Sequence, residues 1–589
     1  MKISRSGVAL GAVVALLASA AIGQDAPESI LPPGFNEPVA PTPTPAPVRP
    51  APGASPAPGS LLPPGFGAPL APAPTPTPTA TPTPIDLALY ELPDYARRSL
   101  AVVGPVGPDG GGLGANAFGA GGGPMTQKLM RALDTPLPSR WLSIALRRAL
   151  VSRVATPAGV DGADFAAERA WLLLRMGEAD SARAVVQSVD VENYTPKLFQ
   201  VAMQAMLANG DPSGLCPLVD PAIKVVAEPG WVFARAMCAA LAGKPAQAGA
   251  LYDQARRRTG RNIDALLAEK VIGAGAQGRR SVTIEWDGVD QLTAWRFGLA
   301  TATGVEIPAA LFATVGPQVA SWRATAPMLD AQTRVAFADA AASQGVLSNA
   351  AMVDLYSAIE AQDDSNSAAG AVARDLRAAY AEGGAVDRLR LLRQLWDEPA
   401  SRAGKQARLI LTARAAARIA PSPDHADDSS RLIAAMLTAG LDRAAVRWSS
   451  VVPAASDGWA MLALADPRRR STTAGEVDSY HDSAAEKLKG RMLLAGLTGL
   501  GRLSLEDAQA LAEPLDVRFG LENAWTRAIT AAAQRGEGGS VLLLAAIGMQ
   551  APDWRGVPPE VLYHSCLALR AVGLEGEARM IAAEAIARL

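Results

Sequence analysis

From about Met125 to Leu589, alanine, leucine and valine recur at three- and four-residue intervals, and glycine, proline or aspartate breaks the pattern at short range. That period is the mark of an amphipathic helix, and the breakers hold each helix to a few turns. "SRWLSIALRRALVSRV", "GADFAAERAWLLLRM" and "AGKQARLILTARAAARI" are examples. Such spacing predicts an all-α chain of about two dozen short helices. Composition agrees: 49% of residues are hydrophobic and only 5% aromatic, with alanine prominent. Alanine is the best helix former, and its small side chain gives thin helix interfaces. At 589 residues the chain has room for several domains or one long array. "SVTIEWDG", residues 281–288, reads instead as a strand or irregular turn. Breaks in the array are expected near 275–290 and near 400.

One phrase recurs along the helical span. "GEADSARAVVQSV" carries Gly177, Ala182, Val186 and Val189. "GKPAQAGALYDQA" carries Gly243, Ala248, Tyr252 and Ala255, and "GLEGEARMIAAEA" carries Gly573, Ala578, Ala582 and Ala585. "GLDRAAVRWSSVV" follows with Gly440, Ala445 and Val452, Ser449 breaking the third position. In each, a glycine is followed five residues later by a small residue, then by apolar positions. This resembles the tetratricopeptide repeat, in which a glycine turn joins two helices and the small residue lets them pack closely. The helix-A signature is departed from: Ala170 and Ala236 stand where that family has a glycine. The resemblance implies a tetratricopeptide-like helical-hairpin solenoid. Such hairpins bury their apolar faces only by stacking, and the stack presents a long surface for a peptide or protein. An irregular helical domain, in which abundant Gly and Ala produce the phrase by composition, is the alternative.

The N-terminus reads differently. Residues 1–23 have Lys2 and Arg5, an apolar stretch from Gly7, and small residues at Ala18-Ser19-Ala20 or Ala21-Ile22-Gly23. That is the layout of a secretory signal peptide, and it is short for a membrane span. No cysteine follows the apolar core, so lipoprotein processing is not expected. The expected location is periplasmic, with an inner-membrane anchor through an uncleaved signal as the alternative; a membrane is a partner only in that second case. Residues 24–84 are rich in Pro, Ala and Thr, which favours a disordered, extended arm. Within it one phrase stands twice: Leu31-Pro32-Pro33-Gly34-Phe35 and Leu62-Pro63-Pro64-Gly65-Phe66. Phe35 and Phe66 are the only aromatic residues of the arm. Each copy is an apolar anchor in a solvated rod, so a duplicated partner-binding motif is expected, with a gain in avidity. Residues 85–124 comprise a short apolar segment and a Gly-rich joint, and 125–589 the solenoid.

Export permits disulfides. Of three cysteines, Cys216 lies 11 residues before Ala227 and Cys238 lies 11 after it, with Glu228-Pro229-Gly230 as a turn between. Equal distances from the turn of an antiparallel hairpin bring two positions level. A Cys216–Cys238 disulfide is expected, leaving Cys566 a lone buried thiol.

Few residues point to catalytic chemistry. The net charge of −2 argues against a nucleic-acid binder. Arg256-Arg257-Arg258 and Arg468-Arg469-Arg470 read as solvated charge. His425 and His481 lie in acidic loop-like stretches, and His564 is too close in sequence to Cys566 to face it on a helix. There is no HExxH, CxxC, GxSxG or phosphate-loop motif. No cofactor, metal or small-molecule substrate is expected. Gly548-Met549-Gln550 faintly resembles a segment of lytic transglycosylases, some of which pair an α-superhelix with a lysozyme-like domain. Their Glu-Ser segment is absent upstream, where Glu522 is followed by Asn523. The expectation is a non-enzymatic periplasmic scaffold or adaptor that binds envelope proteins or peptides, with a cell-wall-active envelope enzyme as the alternative.

Overall fold

Polar side chains start the helices where the sequence breaks its apolar period. Asp161 accepts from the backbone N–H groups of Ala163 and Asp164, and Ser139, Thr195, Ser348 and Ser456 cap in the same way. Thr473 and Glu476 form a full capping box. Each cap satisfies a donor that the first turn leaves free. The computed structural model describes residues 93, 96–275, 282–362, 367–381, 383–469 and 471–589. The two copies of the LPPGF motif, the signal peptide and the Pro-rich arm lie outside the described residues. From Arg98 onward the chain belongs to one unit. Of residues 33–97, a second unit, only Pro93, Ala96 and Arg97 are described, in a turn closed by Ala96 N–H donating to Pro93 O.

The unit from Arg98 is an all-α solenoid with 26 α-helices among the described residues. It begins with α1 (Gly123–Ala132), α2 (Arg140–Val151), α3 (Gly162–Arg175), α4 (Ala179–Val186) and α5 (Pro196–Ala208). Next come α6 (Val219–Val225), α7 (Pro229–Leu241), α8 (Pro245–Thr259) and α9 (Ile263–Gly275). After an irregular stretch at 282–293 follow α10 (Ala294–Ala302), α11 (Gln318–Thr325), α12 (Ala331–Gln344), α13 (Asn349–Ala361) and α14 (Ala368–Ala381). α15 (Ala385–Asp397), α16 (Arg402–Ala416), α17 (Ser429–Thr438), α18 (Asp442–Val446), α19 (Asp457–Ala465) and α20 (Ala474–Ser483) continue the array. α21 (Lys487–Gly499), α22 (Leu505–Ala512), α23 (Ala524–Gln534), α24 (Gly538–Gly548), α25 (Pro559–Ala571) and α26 (Glu575–Arg588) complete it. Sequence neighbours pack as pairs, as in α3 with α4, α7 with α8 and α25 with α26. Among the described residues no helix is long and apolar enough to cross a membrane.

All four glycine phrases fall at hairpin turns. Gly177, Gly243, Gly440 and Gly573 have φ of +83°, +73°, +71° and +78°, a left-handed backbone that other residues adopt at a cost. Ala182, Ala248, Ala445 and Ala578 are fully buried where the second helix meets the first. At α3–α4 the turn is also crowded from outside: a Cβ on Gly177 would lie 2.6 Å from Cβ of Ser321 on α11.

Two expectations of organisation are corrected. Residues 104–124, read as a Gly-rich joint, are packed against the helices. Phe118 is 1% exposed and meets Phe165 of α3 edge-on at 5.7 Å. Leu113 and Ala117 are buried as well. β1 (Val102–Val103) pairs antiparallel with β2 (Val154–Ala155). The glycines serve this packing: a Cβ on Gly104 would stand 2.1 Å from the Ser152 carbonyl oxygen. Near 400 there is no break, because Trp396 of α15 donates its indole N–H to Thr412 of α16 at 2.8 Å. Near 275–290 the helices are interrupted but the packing is not. Trp295 and Arg296 at the start of α10 hold Asp264 of α9.

If close approach at the buried alanine is what builds the hairpin, Ala182→Leu will lower stability by about 1–3 kcal/mol, the usual cost of overpacking. Thermal unfolding followed by circular dichroism measures it. An exposed control on α8, Ala250→Leu, should shift the midpoint little.

Candidate binding groove at the closure of the array

The closure begins at the N-terminus of α2. A helix start leaves N–H groups unpaired and carries a partial positive charge. Here a carboxylate from the far end of the chain fills that place. Glu584 of α26 accepts from Ser139 Oγ at 2.6 Å, from Arg140 N at 2.8 Å and from Trp141 N at 3.1 Å. Arg588 pairs with Glu584 at 2.9 Å and donates to Pro138 O at 2.7 Å. α2 packs on α24 and α26 as well as on α3 and α4, so the first helices of the unit rest on the last.

From the same turn the Arg140 guanidinium runs inward. It donates to Ala342 O at 2.8 Å, Leu347 O at 3.1 Å and Thr438 O at 3.2 Å. These carbonyls belong to the last turn of α12, the α12–α13 turn and the C-terminus of α17. Burial pushes the pKa of Arg140 down to about 10, with Glu584 opposing the shift. Further along α2, Arg147 reaches Glu178 Oε1 at 2.7 Å and Gly345 O at 3.0 Å. Burial pushes the pKa of Glu178 up to about 7 despite that neighbour.

Beside this closure a pocket of about 230 Å³ opens where α15, α16, α17, α19 and α26 meet. Trp396, Leu409, Ala434, Met461 and Ala587 make its apolar lining, and Lys405, Ser430, Arg431 and Asp457 its polar one. A cavity of about 20 Å³, lined in part by Arg140, Trp141 and Glu584, shares Ala434, Met461 and Ala587 with it. The pocket wall and the closure are therefore built on the same turns of α17, α19 and α26. Arg431 lies over the Trp396 ring at 4.8 Å and pairs with Asp397 at 2.7 Å. Asp457 accepts from Tyr480 OH at 2.7 Å and Lys489 Nζ at 2.5 Å.

The residues singled out in the sequence for other chemistry have structural places. Cys216, just before α6, and Cys238 of α7 are joined by a disulfide across the hairpin, Cα–Cα 5.4 Å. Cys566 is fully buried, its thiol pushed up to about 12 by burial, and it contacts Ala578 O. His564 is half-buried between the Tyr563 and Trp525 rings, and burial lowers its pKa. His481 lies near the end of α20 against Gly490. Near His425, Asp428 is taken by Arg393. Glu522 is exposed before α23 and Met549 is buried, so no apolar cleft holds a carboxyl there. Arg256, Arg257 and Arg258 form the exposed last turn of α8. Among the described residues no group of three or more His, Cys, Asp and Glu is placed to hold a metal ion.

The groove and closure residues were not singled out in the sequence. Glu584 carried a signal: it stands three residues after Ile581 on the buried stripe of α26, where a charge needs a partner. Comparison with family models, curated proteins and solved structures finds no match for the chain.

Two outcomes follow from the geometry. Glu584→Ala leaves buried donors and Arg588 without their acceptor and should cost about 3–5 kcal/mol, whereas Glu584→Gln, which keeps one oxygen, should cost less. Thermal melts of the two variants test the order. Glu178 binds its proton more tightly folded than unfolded, so stability should fall as pH rises from about 4.5 towards 7 and through it. Glu178→Gln should flatten that dependence in melts taken between about pH 5 and 8.

Proposed function

We propose that this protein is an exported, non-enzymatic binding scaffold of the bacterial envelope, with a tetratricopeptide-like body that holds protein or peptide partners. The observation that carries the reading is the groove. It is an apolar-floored pocket with charged groups at its mouth, set on five helices, two of which, α17 and α26, are tied through α2 by buried hydrogen bonds. Pockets with an apolar lining and a few placed polar groups are where ligands bind.

Three further features support it. The sequence opens with the layout of a secretory leader. The hairpin disulfide suits an oxidising compartment. The glycine–alanine phrases stand at hairpin turns, as the tetratricopeptide resemblance implies. The Pro-rich arm, with its repeated LPPGF phrase, is proposed as a second binding element that raises avidity for the same partner. A cell-wall enzyme lacks comparable support, since Glu522 is exposed and Cys566 is sealed in the core.

The test is fractionation and in-cell crosslinking of the full chain. The protein should appear in the periplasmic fraction with its mature end after Ala20 or Gly23, and should crosslink to a defined envelope partner. Replacing both Phe35 and Phe66 by Ala should weaken capture at least several-fold. Glycan hydrolysis that is lost on mutating a single acidic residue would overturn the reading.

A further inference from the structure

We infer that the pocket beside the closure is a receptor for a peptide C-terminus whose last residue is apolar. The inference rests on the binding function proposed above and names the chemistry of the partner.

One positive charge is left over at the pocket mouth. Arg431 already pairs with Asp397, and its guanidinium lies over the Trp396 ring. Asp457 is matched by Lys489 and by the Tyr480 hydroxyl. Lys405 is different: among the described residues its ammonium has no hydrogen-bond or ion-pair partner, though it lines the same mouth. The pocket's acid is neutralised while one cation is free, so its complement is an anion. A carboxylate on Lys405 makes a charge-assisted hydrogen bond, about twice the strength of a neutral one.

The floor sets the rest of the ligand. Leu409 and Ala587, both half-buried, present the apolar surface, backed by the buried Trp396 and Met461, a floor for an apolar side chain. At about 230 Å³ the pocket is below the ~300–1,000 Å³ of sites that enclose whole drug-sized ligands. It has room for one large side chain at the mouth end of a ligand. The mouth also suits a peptide backbone. Ser430 Oγ accepts from Gly458 N–H at 2.9 Å, which leaves its own proton for a ligand carbonyl. The Asp457 carboxylate has lone pairs beyond its two partners for a ligand N–H.

The probe is the peptide acetyl-Gly-Ser-Leu-Phe with a free C-terminal carboxylate, titrated into full-length protein carrying ¹³C-methyl methionine. The Met461 methyl resonance is identified by its loss in Met461→Leu. It should shift saturably with the acid peptide. The amidated peptide, and the acid peptide with Lys405→Ala, should each bind about tenfold more weakly. Lys405 is exposed, so its replacement should leave the fold intact, which a melt checks. An unmoved Met461 resonance at millimolar peptide overturns the inference. So does equal binding of acid and amide, or tighter binding of decanoate, which would assign the pocket to acyl chains. If the peptide arm fails while envelope crosslinking persists, this site falls and the scaffold reading stands. If the peptide binds as described but no envelope partner crosslinks, the site stands and the scaffold reading falls.

Discussion

The carboxylate of Glu584 on the N-terminus of α2 is the contact on which the arrangement depends. It joins residues more than 440 positions apart and satisfies three donors at once. A linear array of hairpins is held by neighbour contacts alone, and its ends are free to fray. Here α2 touches α3, α4, α24 and α26, so the end helices of the unit share one junction. Burying a carboxylate is costly unless it is fully hydrogen-bonded. A helix N-terminus with its partial positive charge, a serine hydroxyl and Arg588 together offset that cost.

The same device recurs with the charges reversed. Helix C-termini leave carbonyls unpaired, and arginines from other segments supply the donors. Arg140 holds Ala342, Leu347 and Thr438; Arg175 holds Met130 and Leu133; Arg502 holds Ala463 and Leu464. Arg169, with no carboxylate in hydrogen-bond reach among the described residues, bonds Val103, Leu150 and Ser152 and ties β1 to the end of α2. Burial lowers the pKa of these groups to about 9 or 10, which still leaves them charged at neutral pH. Alanine interfaces are smooth and specify register weakly. Directional arginine–carbonyl bonds supply the missing register, and they hold α17, α19 and α26 where the groove needs them.

Much of the architecture was legible in the sequence because it is local. Helix periodicity, the caps and the glycine turns at 177, 243, 440 and 573 each depend on a few adjacent residues. The Cys216–Cys238 bridge was also within reach, since both cysteines lie on one hairpin. The Gly-rich segment was misread because glycine density signals flexibility only when nothing packs on it. There Phe118 and Leu113 anchor the chain, and glycines such as Gly104 let the backbone approach. The closure and the groove were not legible. They combine α2, α15, α17, α19 and α26, and no periodicity relates residue 140 to residue 584. A single buried charge on an apolar stripe, as at Glu584, announces that a partner exists without saying which.

The central claim is that one polar junction makes the first and last helices a single cooperative unit, and that the groove exists because of it. Hydrogen–deuterium exchange on Glu584→Ala tests this directly. Protection should fall together at 139–151, at 429–438 and at 575–588, because each is held through the same turn of α2. Loss confined to the first turn of α2, with α17 and α26 exchanging as in the wild type, would contradict it.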